Sequence, residues 1–268
     1  MKIGLIGCGR MGSALIGGIA KSDITTPADI AVYDLNSDFV TTLVQDSGVS
    51  AASNNLDLTC KSQTILLAVK PQYVVDVLRE IAPAITKDHL LISIAAGVTL
   101  EKMEAACPAN TRIIRAMPNT PALIALGATG IAPGSHATEQ DLKIARELLE
   151  SVGIVSVTEE PQLDAVTGLS GSGPAYVYTF IESLSLQAQE EGLALDEAIK
   201  LATQTVIGAA RMVEQTDMTP RQLVEQVTSP GGTTLAGLAA LNQNGFEKSI
   251  AAGVHAAAER SREIAAES

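Results

Sequence analysis

Short runs of Ile, Leu and Val recur along the first 158 residues, separated by segments in which the apolar residues follow helical spacing. Helical spacing is clear from Ser13 to Ala20 and from Gln72 to Ile81. Strands alternating with helices predict a parallel sheet covered on both faces, and continuous apolar runs suit strands buried on both sides. The pattern predicts a doubly wound α/β domain over residues 1–158. The predicted strands are residues 2–6, 30–33, 64–69, 90–94, 112–116 and 153–157.

The remaining residues, 159–268, lack β-branched runs bounded by turns and are rich in Ala, Leu, Gln and Glu. This composition predicts an all-helical second domain. Helix start and stop signals divide it into several helices. The expected features are a helix from Pro174 to Glu191 ended by Gly192, a helix capped by Asp196 and running to about Glu214, a start near Pro220, a break at 229–232 and a last helix from about Gly245.

The helix that follows Asp196 is apolar around most of its circumference, more than one core-facing stripe requires. Either a second helix layer or a second subunit covers it. We favour a subunit interface, because a bundle this small seldom encloses a helix completely.

Composition and charge narrow the function classes. With 268 residues, 46% of them hydrophobic, the chain can bury a sizeable core. Its net charge is -12, and residues 159–268 hold 6 Lys and Arg against 15 Asp and Glu. A chain of this sign repels phosphodiester backbones, and 4 Tyr, 3 Phe and no Trp leave little for stacking on bases. We therefore expect no nucleic-acid partner.

The cysteines and histidines do not form a recognisable metal, disulfide or triad pattern. The 3 cysteines are widely spaced, which predicts reduced thiols and a cytoplasmic location. The 3 histidines lack metal-ligand spacing and are expected to be surface or packing residues, so no metal is predicted. The apolar N-terminal run is too short for a signal peptide or a membrane span, and no membrane association is expected.

A G-x-G-x-x-G fingerprint follows the first predicted strand and opens the first predicted helix. In this context the first Gly makes a tight turn, the second lets the backbone approach a pyrophosphate, and the third lets the helix pack closely on the strand. The helix N-terminus supplies free N–H groups to the phosphates. The sequence therefore predicts a nicotinamide dinucleotide site at Gly7, Cys8, Gly9, Arg10, Met11 and Gly12.

Asp34 follows the second predicted strand, about 20 residues beyond the glycines. There a carboxylate can accept hydrogen bonds from the adenosine ribose, which favours NADH over NADPH. Asn36, Ser37 and Arg10 are near enough in sequence to offset its repulsion of a 2′-phosphate. Alternatively, Asp34 caps the following helix. The cofactor is therefore expected to be NADPH or NADH, with NADH preferred.

Loops after the later strands should also face the cofactor, because ligands in such sheets lie beyond the carboxyl ends of the strands. Lys70 is either a positive charge beside the cofactor or a solvated loop residue. Asn119, in a loop stiffened by two prolines, either orients a carboxamide or belongs to a rigid turn. The cofactor-binding residues expected in these loops are Ala68, Val69, Lys70, Pro71, Ala95, Ala96, Gly97 and Asn119.

A second Gly/Thr segment, residues 228–234, lies between two predicted helices. Its hydroxyls and unpaired N–H groups could hold a small carboxylate. The alternative is a plain helix cap with a Gly-Gly linker. The Gly-rich stretch 168–174 lacks a following Gly-Lys-Ser/Thr and is interpreted as a tight turn whose backbone closely approaches another element.

Several of these motifs together resemble the pyrroline-5-carboxylate reductase family, and the resemblance covers essentially the whole chain. The most specific segment is Val227 to Asn242, with the run TSPGGTT at residues 228–234. The other matching segments are residues 3–12, 68–71, 94–99, 115–121 and 168–176.

The resemblance implies a Rossmann domain followed by a helical dimerisation domain, and reduction of 1-pyrroline-5-carboxylate to L-proline by NADH or NADPH, the last step of proline biosynthesis. It further implies a homodimer that in some members assembles into a decamer. Asp217 corresponds to an acidic family position contributed by the neighbouring subunit, but it is not counted among the expected site residues. Thr234 is the implied catalytic residue, near the imine nitrogen. The implied substrate-binding residues are Ser229, Gly231, Gly232, Thr233 and Thr234.

Two other functions remain as alternatives. One is a reductase of another cyclic imine. The other is a sensor that binds a dinucleotide without turnover.

Overall fold

The computed structural model describes residues 1–267, which form two compact units. The first unit comprises Met1–Ser172 and the chain from His255 onward, and it is built on an eight-stranded sheet of order β3-β2-β1-β4-β5-β6-β7-β8. The strands are β1 Ile3–Ile6, β2 Ile30–Tyr33, β3 Ser50–Ala51, β4 Thr64–Leu67, β5 Leu90–Ser93, β6 Arg112–Met117, β7 Gly127–Pro133 and β8 Gly153–Val157.

Helices cover both faces of this sheet. One hydrophobic cluster packs Leu15 and Ile16 against one face, and another packs Val74 and Leu78 against the opposite face. The predicted doubly wound α/β domain is therefore confirmed. Its helices are α1 Arg10–Ile19, α2 Ser37–Ser47, α3 Asn55–Lys61, α4 Pro71–Ile81, α5 Leu100–Ala105, α6 Glu139–Glu150 and α7 Leu163–Val166.

The predicted strands are all present, and the sheet contains two further strands, β3 and β7, that the sequence pattern did not predict. Strand β3 has only two residues. Strand β7 reads GATGIAP, in which glycine and alanine replace the β-branched residues that signal a strand. It runs antiparallel to β6, so the sheet is mixed rather than wholly parallel. Every other adjacent pair is parallel.

The second unit, Gly173–Val254, is helical, as predicted. Asp196 was expected to cap the second helix, but Ala194 occupies the N-cap and Asp196 lies in the first turn. A carboxylate there still interacts favourably with the helix dipole. The helices are α8 Gly173–Glu190, α9 Leu195–Gln215, α10 Pro220–Gln226, α11 Thr233–Gln243 and α12 Phe246–Glu267, the last continuing into the first unit.

The compact units do not divide where the sequence pattern changes. The first unit extends to Ser172, whereas the predicted domain boundary follows residue 158. The end of α12 also belongs to the first unit. Ser261 on that helix donates a 2.6 Å hydrogen bond to Asp164, just after the predicted boundary. The boundary at 158 stays a prediction about domain organisation.

Helices of the second unit expose many large apolar side chains. Ser185 in α8 and Ala198 and Ala202 in α9 are buried, whereas α10 and α11, both fully described, contain no buried residue. An exposed apolar surface of this extent marks an interaction site. Among the exposed side chains are Phe180, Leu184, Leu186, Ile199, Leu201, Ile207, Met212, Val213, Leu235 and Ile250.

Within residues 1–267, no helix combines the length and apolar character that a membrane crossing requires.

A buried ion pair joins α6 to the sheet. Asp141 is 0% exposed, and one of its oxygens accepts a 2.7 Å hydrogen bond from Arg112 in β6. The other oxygen accepts the N–H and the hydroxyl of Thr138, the N-cap of α6. The carboxylate thus neutralises a cation and completes a helix cap.

We expect Asp141→Ala to lower the free energy of unfolding by about 3 kcal/mol, because the partly buried Arg112 loses its counter-charge and α6 loses its capping box. Urea denaturation at matched protein concentration measures the loss. Glu147→Ala is the control, since Glu147 is exposed and lies 3.9 Å from Lys143. A similar stability for both variants would contradict the structural role of the buried pair.

Candidate functional site

Two glycines of the fingerprint are required by close backbone packing. Gly7 has φ +101, and a Cβ there would lie 2.7 Å from the backbone of Ala68. Its N–H donates a 2.9 Å hydrogen bond to the carbonyl of Tyr33. At Gly12 a Cβ would lie 2.2 Å from the carbonyl oxygen of Gly7. The turn from β1 into α1 therefore admits no side chain at either position.

Gly9 differs from its two neighbours in the motif. A Cβ at this position would meet no atom within 4 Å among residues 1–267. Gly9 is the N-cap of α1, and no side chain caps the helix. The first-turn N–H groups, those of Arg10, Met11 and Gly12, are thus available to an anion. This open helix start fits the pyrophosphate of a dinucleotide.

Asp34 fastens this loop to the end of β2. One carboxylate oxygen accepts the Cys8 N–H at 2.7 Å and the other accepts the Asn36 N–H at 2.8 Å. The alternative that Asp34 caps α2 is wrong, because the side chain of Asn36 caps that helix by accepting the Asp38 N–H. Burial, and secondarily the charge of Asp34, raises the pKa of Cys8 to about 12. Cys8 is therefore a neutral thiol at physiological pH.

A cavity of about 410 Å³ opens beside this turn. Six of the predicted cofactor-binding residues line it, namely Gly7, Gly9, Asp34, Ala68, Val69 and Lys70. Its remaining lining comes from β1 and β2, the start of α2 and of α3, and α4. The lining residues that the sequence analysis missed include Leu35, Phe39, Asn55, Tyr73, Asp76, Val77 and Glu80.

The α4 residues in this wall had a sequence signal that could have revealed them. Tyr73, Asp76, Val77 and Glu80 recur at the spacing of one helix face. Asn55 had no such signal, because a Ser-Asn-Asn cluster before an apolar residue is typical of a helix start.

Other predicted cofactor-binding residues lie outside this cavity wall. Cys8 and the first turn of α1, Arg10 to Gly12, adjoin it, and Pro71 is the first residue of α4. Ala95 is buried and Ala96 is exposed. Gly97 has φ +76, and a Cβ there would lie 2.5 Å from Ile264 of α12. Packing against α12 therefore accounts for this glycine, and its role toward a cofactor stays a prediction.

Asn119 is buried and uses its amide within the protein. Its Oδ1 accepts the N–H of Ala128 at 2.8 Å, and its Nδ2 donates to the carbonyl of Ser170 at 3.0 Å. The rigid-turn interpretation therefore has direct support. Nearby, a Cβ at Gly171 would lie 2.8 Å from Met117, which confirms that the Gly-rich stretch 168–174 closely approaches another element. The predicted tight turn is wrong, because Thr167–Gly171 form a π-helical turn between α7 and α8.

The segment 228–234 begins α11 in the second unit. Gly232 is its N-cap, Gly231 has φ +74, and no side chain caps the helix. Gly232 donates its N–H to the Ser229 carbonyl at 2.9 Å, and Ser229, Thr233 and Thr234 are exposed. The hydroxyls of these residues and the first N–H groups of α11 thus surround an open helix start.

The three histidines are packing or surface residues. His89 is buried, accepts the Thr86 N–H at 2.9 Å and lies 3.1 Å from the Thr59 carbonyl, which confirms its expected packing role. No cluster of three His, Cys, Asp or Glu side chains suited to a metal occurs among residues 1–267.

The Rossmann sheet, the open fingerprint turn and the helical second unit define the class as dinucleotide-dependent oxidoreductases. Residues 2–97 match the family model described as NADP oxidoreductase coenzyme F420-dependent, and residues 160–264 match that of pyrroline-5-carboxylate reductase dimerisation. The chain belongs to the pyrroline-5-carboxylate reductase family, which confirms the resemblance found in the sequence.

Relatives and solved structures match nearly the whole chain. Pyrroline-5-carboxylate reductase of Methanosarcina acetivorans is 43% identical, covering 98% of this chain and 97% of the relative, and that of Escherichia coli is 39% identical, covering 98% of both. A Coxiella burnetii pyrroline-5-carboxylate reductase structure has TM-score 0.93 and 34% identity, covering 98% of both chains. The Plasmodium falciparum pyrroline carboxylate reductase with NADP bound has TM-score 0.87 and 34% identity, covering 99% of this chain and 98% of the other.

Substitutions at Gly7 and Gly9 are expected to separate folding from ligand binding. Gly9→Ala should leave the thermal midpoint unchanged and raise the Kd of the dinucleotide at least about tenfold, because the new methyl occupies the open space before α1. Gly7→Ala should lower the free energy of unfolding by about 1–3 kcal/mol from backbone strain alone. Calorimetry and nucleotide titration measure the two effects. Unchanged nucleotide affinity in Gly9→Ala would place the pyrophosphate elsewhere.

Proposed function

We propose that this protein is an NAD(P)H-dependent pyrroline-5-carboxylate reductase that converts 1-pyrroline-5-carboxylate to L-proline. The observation that carries the proposal is identity of 39–43% to reductases of that name over 98% of this chain. That length includes both the open fingerprint turn and the 228–234 segment.

For the cofactor, the structure supports a site at the carboxyl edge of the sheet. The first-turn N–H groups of α1 would hold the pyrophosphate, and Asp34, Val69 and Lys70 would line the cavity beside it. When bound, NADH or NADPH supplies a hydride to the imine carbon, and the ring nitrogen carries the proton. Ala95, Ala96, Gly97 and Asn119 would contribute to the cofactor site from the loops after the later strands.

We propose that the substrate binds at the exposed start of α11. Backbone N–H groups at Gly231 and Thr233, with the hydroxyl of Ser229, would bind the carboxylate through dipoles. Gly232, whose N–H donates to the Ser229 carbonyl, would let the carboxylate approach the backbone closely. The Thr234 hydroxyl would hydrogen-bond near the imine nitrogen and orient the ring. Dipoles suit this task, because a cationic side chain there would disfavour the protonated imine, which is the better hydride acceptor. No strong general acid is then required.

For the assembly, we propose a homodimer through the helical unit, with a decamer of five such dimers as a further level. Support comes from the match to a dimerisation model over residues 160–264 and from the apolar side chains exposed on α8, α9 and α11. For location, we propose the cytoplasm, which agrees with the three free thiols Cys8, Cys60 and Cys107.

The reaction is tested by following the loss of reduced-nicotinamide absorbance with pyrroline-5-carboxylate, in parallel with NADH and NADPH, while proline is quantified. Oxidation with an equal yield of proline supports the reductase. Cofactor binding without oxidation would favour a dinucleotide sensor. Oxidation only with a six-membered cyclic imine would favour the other reductase.

Thr234→Ala should lower kcat about tenfold to hundredfold, the effect of losing one hydrogen bond to a charged group. Cofactor Kd should stay within twofold, because the residue lies outside the cofactor cavity. Thr41→Ala is the matched control, since Thr41 is exposed on α2 and donates only to the Ser37 carbonyl. Equal activity in both variants would remove Thr234 from the proposed mechanism.

The homodimer is tested by the double variant Leu201→Glu and Ile207→Glu in α9, whose side chains are 57% and 49% exposed in the single chain. Carboxylates buried without partners oppose association, so light scattering at micromolar concentration should shift toward the monomer mass. Thr42→Glu on α2 is the control and should retain the native mass. A double variant that keeps that mass would place the interface elsewhere.

A further inference from the structure

Asn55 is the most unusual polar group in the cofactor cavity. It is 6% exposed, and its Nδ2 donates a 2.8 Å hydrogen bond to Glu80 Oε2. Its Oδ1 is buried and accepts no hydrogen bond from residues 1–267. A buried acceptor without a partner is unfavourable, so this oxygen suits a ligand that brings a donor.

Glu80 determines how the Asn55 amide is oriented. An ionised carboxylate only accepts hydrogen bonds, so it can pair with the Nδ2 group but not with the amide oxygen. The Asn55 oxygen is thereby kept as the group left for another partner. Glu80 reaches Asn55 from the same α4 face that presents Tyr73 and Asp76 to the cavity.

Asp34 adds a second acceptor to this wall. Each of its oxygens already accepts one backbone N–H, and each retains a lone pair but has no proton to donate. The loop therefore fixes the carboxylate without neutralising its charge.

The charges around the cavity are mainly negative. Asp34, Asp76 and Glu80 line it together with one cation, Lys70. Arg79 lies 3.9 Å from Asp76 and offsets part of that charge. Within the described chain, no Lys or Arg forms an ion pair with Glu80, and Arg10 is outside the cavity wall.

We propose that Glu80, acting through Asn55 and together with Asp34, makes this cavity select NADH over NADPH. Ribose hydroxyls can donate to the Asp34 carboxylate and to Asn55 Oδ1, whereas a 2′-phosphate brings acceptor oxygens and about two negative charges. The inference rests on the cofactor site of the proposed function. It makes Asp34 a specificity residue and Glu80 a positioning residue. The Plasmodium falciparum relative has NADP bound, so the proposed selection of NADH concerns this chain and not every member of the family.

The selectivity is tested first without catalysis, by calorimetric titration of the chain with 5′-AMP and with 2′,5′-ADP. We expect 5′-AMP to bind at least about tenfold more tightly, the factor that one or two charge contacts provide. Equal or tighter binding of 2′,5′-ADP would overturn the inference. Because this measurement needs no imine substrate, its result is independent of whether the protein reduces pyrroline-5-carboxylate.

Two substitutions then assign the selectivity to residues. Glu80→Gln keeps the shape of the side chain but removes its charge. It also allows the Asn55 amide to flip, because a glutamine amide can both donate and accept hydrogen bonds. It should reduce the preference for 5′-AMP at least about threefold, and Asp34→Ser should reduce it further. Glu147→Gln, at an exposed acid on α6, is the matched control and should retain the native preference.

A merely structural role for Glu80 makes a different prediction. It would weaken both nucleotides equally and lower the thermal midpoint, leaving their Kd ratio unchanged, and that result would remove Glu80 from the specificity mechanism. Should Glu80→Gln fail to fold, the ratio of the two nucleotide Kd values can be measured in Glu80→Ala and Asp34→Asn instead. If Glu80→Asp retains the native Kd ratio, that result would further support the role of Glu80 as a hydrogen-bond acceptor.

Discussion

The contact between backbones at the ends of β1 and β4 is the constraint on which the cofactor cavity depends. Gly7 has a positive φ, a Cβ on it would collide with the backbone of Ala68, and its N–H donates to the Tyr33 carbonyl. These contacts fix where α1 begins and leave its first N–H groups free. The same packing places the ends of β1, β2 and β4 around one cavity, so the chemistry of that cavity follows from a steric requirement at one residue.

The sequence pattern predicted best the strands that are buried on both faces of the sheet. The apolar runs in β1, β4 and β5 suit interior strands, and the spacing of the fingerprint glycines reflects the close backbone packing of a dinucleotide-binding turn. Strand β7 escaped because glycine and alanine at its sheet positions meet neighbouring side chains. A Cβ at Gly130, for example, would lie 2.9 Å from Val166. Local composition cannot report such a contact.

The residues of the candidate site also divide into those that the sequence predicts and those that depend on tertiary packing. Asp34 was accessible to sequence reasoning because its distance from the glycines is set by one βαβ unit. Asn55 and Glu80 were not, because their pairing depends on how α3 packs against α4. Gly97 was predicted to contact the cofactor, and in the structure a Cβ at this position would lie 2.5 Å from Ile264 of α12. A requirement for glycine thus identifies close approach without identifying what approaches.

The helical unit connects the proposed substrate site to the proposed assembly. Its buried residues are few and small, and many of its large apolar side chains are exposed in the single chain. If a second copy covers that surface, folding of the unit and association become one equilibrium, and stability then depends on protomer concentration. The α11 start, with its glycines and hydroxyls, lies within this unit. Its geometry would therefore be fixed by association rather than by contacts within one chain.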